Sequence, residues 1–379
     1  MIMAGIYLHI PFCRHRCVYC DFFSSTDQSL RADYIKALCR ELELRRPYLG
    51  RAKVDTIYVG GGTPSQLSVG ELEQIFSYIY KVYKVSDGAE ITLEANPDDL
   101  SDRYVADVRA VLPVNRISMG VQTFSDERLR LLRRRHNSAA AIRAVQRCRR
   151  AGIENISIDL IYGLPGETLD EWKSDLRCAL SLHVPHLSAY HLTYEEGTPL
   201  WQMRAKGEVS EVSEETSVEM YARLVSMLED AGYEHYEISN FCLPGMESRH
   251  NSSYWRRVPY LGCGAAAHSY DGVSRQWNVA SVGRYIRGVM EGSMEVEREE
   301  LDAATRYNDY VVTALRTSWG MSMPVVKKEF GLAFYEYCMR FARSYIERGL
   351  LELEGRVLRL TRKGVLLSDG VISDLLWVE

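Results

Sequence analysis

Three cysteines fall within eight residues, in Cys13-Arg14-His15-Arg16-Cys17-Val18-Tyr19-Cys20, a C-x3-C-x2-C spacing. Thiolates this close in one loop can hold a soft metal centre. A structural zinc site usually takes four tetrahedral ligands, commonly from two C-x2-C pairs. No second pair is present, so a zinc ion here would need His15 to complete it. A cube of four irons held by three cysteines instead leaves one iron without a protein ligand. That vacant position suits catalysis rather than structure. Arg14, His15 and Arg16 make the loop too polar for three cysteines that merely pack. The other six, Cys39, Cys148, Cys178, Cys242, Cys263 and Cys338, are scattered and read as small buried hydrophobes. An odd, uneven set of nine is no disulfide framework, which predicts a reducing, cytoplasmic setting.

The loop must be held by what surrounds it. Apolar runs at Ile6–Ile10, Val54–Val59, Ile91–Glu94, Arg116–Gly120, Ile156–Leu160 and Leu187–Leu192 read as strands. Helical patterns lie between them, at 30–46, 69–82, 102–111, 126–134, 139–151 and 169–182, with one more at 214–231. Ser68, Ser101 and Ser125 are placed to cap helix starts, and Gly152 and Gly232 to cap ends. Strand and helix alternate about six times, which predicts a parallel sheet with helical crossovers. Six units fall short of the eight of a closed barrel, so the ring is expected to stay open. The predicted division is a barrel over residues 1–235, an irregular connecting segment over 236–300, and a smaller helical, winged-helix-like domain over 301–379. In the last, three helices break at Gly320–Pro324 and Gly331, and a hairpin turns at Gly355.

The 379 residues carry 46 Lys and Arg against 51 Asp and Glu, which leaves no basic excess for a nonspecific nucleic-acid binder. Residues 301–379 hold 11 basic and 10 acidic side chains, so the terminal domain is read as a lid or packing domain rather than a DNA reader. No run approaches the roughly 18 apolar residues of a membrane span. The start, Met1-Ile2-Met3-Ala4-Gly5, has no basic region before its apolar residues and reads as a strand, not a secretory signal.

Polar residues sit where strands end. Gly60-Gly61-Gly62-Thr63-Pro64 follows the second strand, and its glycines would let backbone approach a ligand closely. Glu94, Gln122 and Asp159 lie within or just beyond the third, fourth and fifth strands. Any one alone reads as a buried hydrogen-bonding residue. As a set they match the way barrel enzymes build sites at strand C-termini. Arg133-Arg134-Arg135 falls on a predicted helix end and, by itself, reads as a solvated basic face.

The cysteine loop, with aromatic Tyr19 before its last cysteine, resembles that of the radical S-adenosylmethionine (SAM) superfamily. The resemblance implies a partial (β/α)6 TIM-like barrel. It implies a [4Fe-4S] cluster on Cys13, Cys17 and Cys20, with S-adenosyl-L-methionine on the open iron. It assigns Gly61, Gly62 and Thr63 to the methionine amino group. It also assigns Glu94, Gln122, Arg134 and Asp159 to the cofactor. The fork of Arg134 suits the methionine carboxylate. Tyr7 stands where the superfamily has a cofactor-contacting aromatic, and Thr193 is a candidate for the adenosine side. No residue is assigned as catalytic.

The run Tyr7–Cys13, with Gly60–Pro64 and Ile161–Pro165, resembles the oxygen-independent coproporphyrinogen III oxidase family over residues 5–255. Two departures count against the oxidase reaction. A further cysteine two residues past the third is replaced by Phe22, and the oxidases' long segment ahead of the first strand is missing. His250-Asn251-Ser252-Ser253-Tyr254-Trp255 instead resembles the H-N-x-x-Y-W pattern of the HemW-like branch, whose members are heme chaperones. That implies heme contact by His250, with Tyr254 and Trp255 offering flat faces to the porphyrin. It implies an acceptor protein for the heme. If SAM is cleaved, it implies an electron donor such as flavodoxin or ferredoxin. The oxidase is the alternative. A zinc-stabilised barrel with a nucleic-acid-binding tail is a third reading.

Overall fold

A computed structural model describes residues 3–378; Met1 and Ile2, at the start of the first predicted strand, and Glu379 lie outside them. Six strands, β1 (Met3–Ile10), β2 (Lys53–Gly61), β3 (Val85–Ala95), β4 (Arg116–Gln122), β5 (Asn155–Tyr162) and β6 (His186–His191), pair in parallel in that order. Helices cross over between them. Their starts are fixed by side-chain caps: Ser68 and Thr168 form capping boxes with Glu71 and Glu171, and Ser101 and Ser125 each accept a backbone N–H.

Side chains alternate strictly across these strands, which predicts a two-sided chemistry. Ile6 and Leu8, Ile57 and Val59, Ile117 and Met119, and Ile156 and Ile158 face the helices and form the main core. The alternate positions are polar, aromatic or glycine: Tyr7 and His9, Thr56 and Tyr58, Thr92 and Glu94, Arg116 and Ser118, Ser157 and Asp159. Barrel interiors are ordinarily packed with Val, Ile and Leu. Here the apolar core lies outside the ring, and the ring encloses a polar lumen.

The sheet continues past both ends of the six. The hairpin β7 (Glu234–Glu237) and β8 (Asn240–Cys242) adds antiparallel to β6. At the other edge β9 (Tyr260–Cys263) runs parallel beside β1. It is followed outward by β10 (His268–Tyr270), β11 (Ser274–Asn278) and β12 (Val296–Glu300), all antiparallel. The stretch 236–300, read from sequence as irregular, is therefore part of the barrel's own twelve-stranded sheet. Its strands are short and carry Gly, Ser and Tyr rather than alternating aliphatics, so periodicity gave no signal. Buried Glu41 helps hold this edge by accepting from Gly264 N, Asn278 Nδ2 and Tyr285 OH.

Residues beyond 301 form helices Ala303–Leu315, Met323–Glu329 and Leu332–Glu347. A small sheet of β13 (Met321–Ser322), β14 (Leu351–Glu354) and β15 (Val357–Leu360) completes the wing. They bury their own cluster around Tyr307, Val311, Cys338 and Leu358. Arg316 reaches back to the barrel and bonds Glu237 at 2.9 Å.

Candidate functional site

The cysteine loop leaves β1 at the C-terminal end of the parallel strands. Val18, 1% exposed, anchors it in a satellite apolar cluster with Leu132, Ile161, Leu164, Leu192 and Leu200. Backbone bonds from Cys13 N to Ser25 O (2.9 Å) and from Leu200 N to Val18 O (2.9 Å) fix its two ends. All three cysteines are free thiols, Cys13 buried and Cys17 and Cys20 half-buried. Burial pushes the Cys13 thiol up and that of Cys20 to about 11. The three are mutual electrostatic neighbours. Among the described residues no three His, Cys, Asp or Glu side chains close on a point fit for one metal ion.

A chain of polar contacts links the thiols of Cys13 and Cys17. Thr63 Oγ1 donates to Cys13 Sγ at 3.4 Å, and Asn96 Nδ2 donates to Thr63 Oγ1 at 3.5 Å. Arg134 Nη2 donates to Asn96 Oδ1 (2.7 Å) and Gly120 O (2.6 Å), while its Nη1 reaches Cys17 Sγ at 3.5 Å. The Arg134 Nε is buried with no partner, so the guanidinium keeps a donor in reserve for an anion. Tyr19 packs beside Cys17 and Arg134. The expectation that Arg134 lies on a helix end is corrected. The helix stops at Leu131, and Arg133 takes a left-handed φ of 57°, which turns Arg134 inward. The solvated-face reading holds only for exposed Arg133, for Arg134 turns inward and Arg135 pairs with Asp98 and Asp99.

The glycine turn is tight on every side. A Cβ on Gly61, at φ 112°, would lie 2.7 Å from the His9 ring. One on Gly62 would lie 2.9 Å from Cys13 Sγ. Glycine here brings backbone against the thiols. Glu94 locks the turn, accepting from Gly61 N (3.1 Å) and Tyr58 OH (2.7 Å). Burial, with the nearby Asp159, raises its carboxyl to about 7. Asp159 accepts from Ser118 Oγ at 3.3 Å; burial raises it too, and buried Arg116 opposes the rise. Gln122 sits on a bulge of β4 at a left-handed φ of 71°, its amide over Gly120 and beside Arg134. Tyr7 stacks on Tyr58 at 6.2 Å and bonds His9 Nδ1 at 3.1 Å.

The site residues named from sequence thus gather at one mouth, with two exceptions. Thr193 is exposed, two residues beyond β6, and enters none of these bonds. His250 is 1% exposed on a short helix, Arg249–Trp255, at the opposite end of the lumen. Its Nδ1 meets Thr56 Oγ1 at 2.8 Å, its Nε2 meets Tyr254 OH at 2.8 Å, and its ring stacks on Tyr58. With both nitrogens taken and no open face, His250 does not fit an axial iron ligand in this structure. Burial and the Arg116 charge lower it to about 3, so it is held neutral. Asn96 and His9 are site residues that sequence reading missed. Asn96 stands at a strand end exactly as Glu94 nearly does, but beside Pro97 it looks like turn punctuation.

Comparison with known proteins completes the description. The radical SAM superfamily model matches residues 7–179, and the HemN C-terminal domain model matches residues 301–367. The chain is 37% identical over 377 residues to the heme chaperone HemW of Bacillus subtilis, covering 99% of each. It is 37% identical to that of Lactococcus lactis, covering 98% of this chain and 96% of the relative. To the Escherichia coli heme chaperone HemW it is 34% identical over 82% of each. Among solved structures it is similar to coproporphyrinogen III oxidase (HemN) of Escherichia coli. The TM-score is 0.85 and the identity 22%, over 99% of this chain and 90% of that one, which speaks for the fold alone.

Proposed function

The chain belongs to the HemW family of the radical SAM superfamily, and from that premise we propose that it binds heme and passes it to an acceptor protein. Cys13, Cys17 and Cys20 would hold a [4Fe-4S] cluster, and the adjoining mouth would hold S-adenosylmethionine. Together these groups would supply one-electron chemistry when bound. Arg134 would orient the methionine carboxylate through its spare Nε donor. The backbone at Gly61 and Gly62 and the carboxyl of Glu94 would receive the methionine amino group. Gln122 and Asp159 would line the nucleoside side. Val18 and its apolar neighbours exclude water from beneath the loop. The electron donor and the heme acceptor are partners of the same reading. No observation favours the oxidase independently, since the likeness to HemN is one of fold.

The observation that carries the reading is near full-length kinship with heme chaperones, joined to a loop that sets three free cysteines beside the C-terminal ends of the parallel strands. Among the described residues no helix is long and apolar enough to cross a membrane.

Two measurements test it. Anaerobic reconstitution with iron and sulfide is expected to give a brown protein, and Cys17→Ala to lose the colour. Heme titration is expected to shift the Soret band. A colourless wild type would sink the cluster, and no Soret change at micromolar heme would sink the chaperone.

A further inference from the structure

Buried charges are ordinarily paired, because an unpaired one is costly to remove from water. Arg116, the first residue of β4, departs from that rule. It is 1% exposed, its Nε and Nη1 have no partner, and among the described residues it enters no ion pair. A guanidinium cannot escape the cost by losing its proton. Its register neighbours bring no charge: Thr92 on β3 and Asn155 on β5 are themselves left with unpartnered buried oxygens. Higher on the same inner face, however, those two strands carry Glu94 and Asp159. Between Arg116 and the mouth the inner row of β4 holds only Ser118 and Gly120. One cation thus stands on the strand between two carboxylates, with only small groups above it on that strand.

Burial raises both carboxyls. Arg116 is the cation that opposes the rise at each, and Arg134 adds to it at Asp159. The phenols within reach of Glu94, those of Tyr7, Tyr58, Tyr190 and Tyr254, are pushed up by burial and stay neutral. Burial, then the Arg116 charge, keeps His186 and His250 neutral as well. Asp159 and Arg116 are therefore the main charged groups acting on Glu94. Two carboxylates buried within reach of each other repel, and without a cation one would keep its proton. We propose that Arg116 is a positioning residue of the mouth, whose buried charge holds Glu94 and Asp159 ionised to receive S-adenosylmethionine. The inference rests on the reading of the mouth as the site of that cofactor, whose methionine ammonium needs an ionised Glu94.

The test titrates reconstituted wild type and Arg116→Gln with S-adenosylmethionine by calorimetry from pH 6.5 to 9. The ratio of the two affinities is the readout, since the ligand's own titration cancels in it. Losing the cation should leave Glu94 protonated at pH 7, so the variant should bind about tenfold more weakly there and recover toward wild type at pH 9. Arg116→Lys, which keeps a charge beside two carboxylates, should follow the wild-type profile. A loss equal at every pH, or no loss, would make Arg116 a structural residue only and overturn the proposal. Urea unfolding of the unloaded chain at pH 8 decides the matter even where Arg116→Gln alone does not fold. E94Q/D159N leaves Arg116 a buried charge without compensation, so adding R116Q should raise the urea midpoint. A triple variant less stable than the double one overturns the proposal. If the wild type binds no S-adenosylmethionine at any pH, the reading of the mouth fails, and the urea comparison still shows whether Arg116 answers to the two carboxylates.

Discussion

Replacing Glu94 by glutamine should change how stability depends on pH. The carboxyl titrates at about 7 in the folded chain against an ordinary 4.5, because burial penalises its charge. Between those values the folded state binds more protons than the unfolded one, so stability falls as pH rises through this window. Above pH 7 the loss is complete. The full shift corresponds to about 3 kcal/mol, most of which accrues between pH 5 and 8. Glu94→Gln removes the titration. Its amide oxygen cannot readily serve both Gly61 N and Tyr58 OH, so one donor is left wanting, a pH-independent cost of about 1–3 kcal/mol. Urea unfolding of both proteins at pH 5, 6.5 and 8 gives the comparison. Glu167 and Asp175 are also raised, to about 8 and about 6, but they are common to both chains and cancel in the difference. The wild type should be clearly the more stable at pH 5, and its advantage should shrink or reverse by pH 8. Two curves that stay parallel across the range would refute the assignment of a buried, charge-penalised carboxyl at position 94.

Arg134→Lys loses the fork that spans Asn96, Gly120 and Cys17, and a lysine cannot restore it. S-adenosylmethionine affinity of the reconstituted protein, measured by calorimetry, should weaken about tenfold, one good hydrogen bond's worth. His250→Ala strands the hydroxyls of Thr56 and Tyr254 and unstacks Tyr58. It should cost about 2–4 kcal/mol in urea unfolding while leaving the heme titration unchanged. A large loss of heme binding in a variant that remains folded would restore His250 as a ligand. Thr168→Ala removes a capping box and should cost about 1 kcal/mol, read as a lower urea midpoint with unchanged slope.

Six parallel strands, their crossover helices and most caps were legible because each rests on local rules: aliphatic runs, helical spacing, Ser and Thr before acidic turns. The glycine turn, Glu94 and Asp159 were found by the same logic, polar residues at the ends of apolar strands. What escaped depends on distance in the chain. Strand β9 pairs with β1 across more than 200 residues, and nothing in Tyr260–Cys263 announces that partner. Arg134 enters the site only because Arg133 reverses the backbone, a conformation non-glycine residues seldom adopt. His250 carries a motif that suggests a ligand, yet Thr56 and Tyr254 claim both its nitrogens, and only the fold brings Thr56 near. The period-two alternation that marks the polar lumen is present in every strand of the six. Read for chemistry as well as for hydropathy, it would have exposed the inner face directly.

Because the wet face of the ring is separate from the oily one, the two can be altered independently. Changing Ser118 or Thr92 touches no part of the aliphatic layer that drives collapse, whereas changing Ile117 or Leu93 does. A lineage built on such a wall can exchange what it carries inside without relearning how to fold.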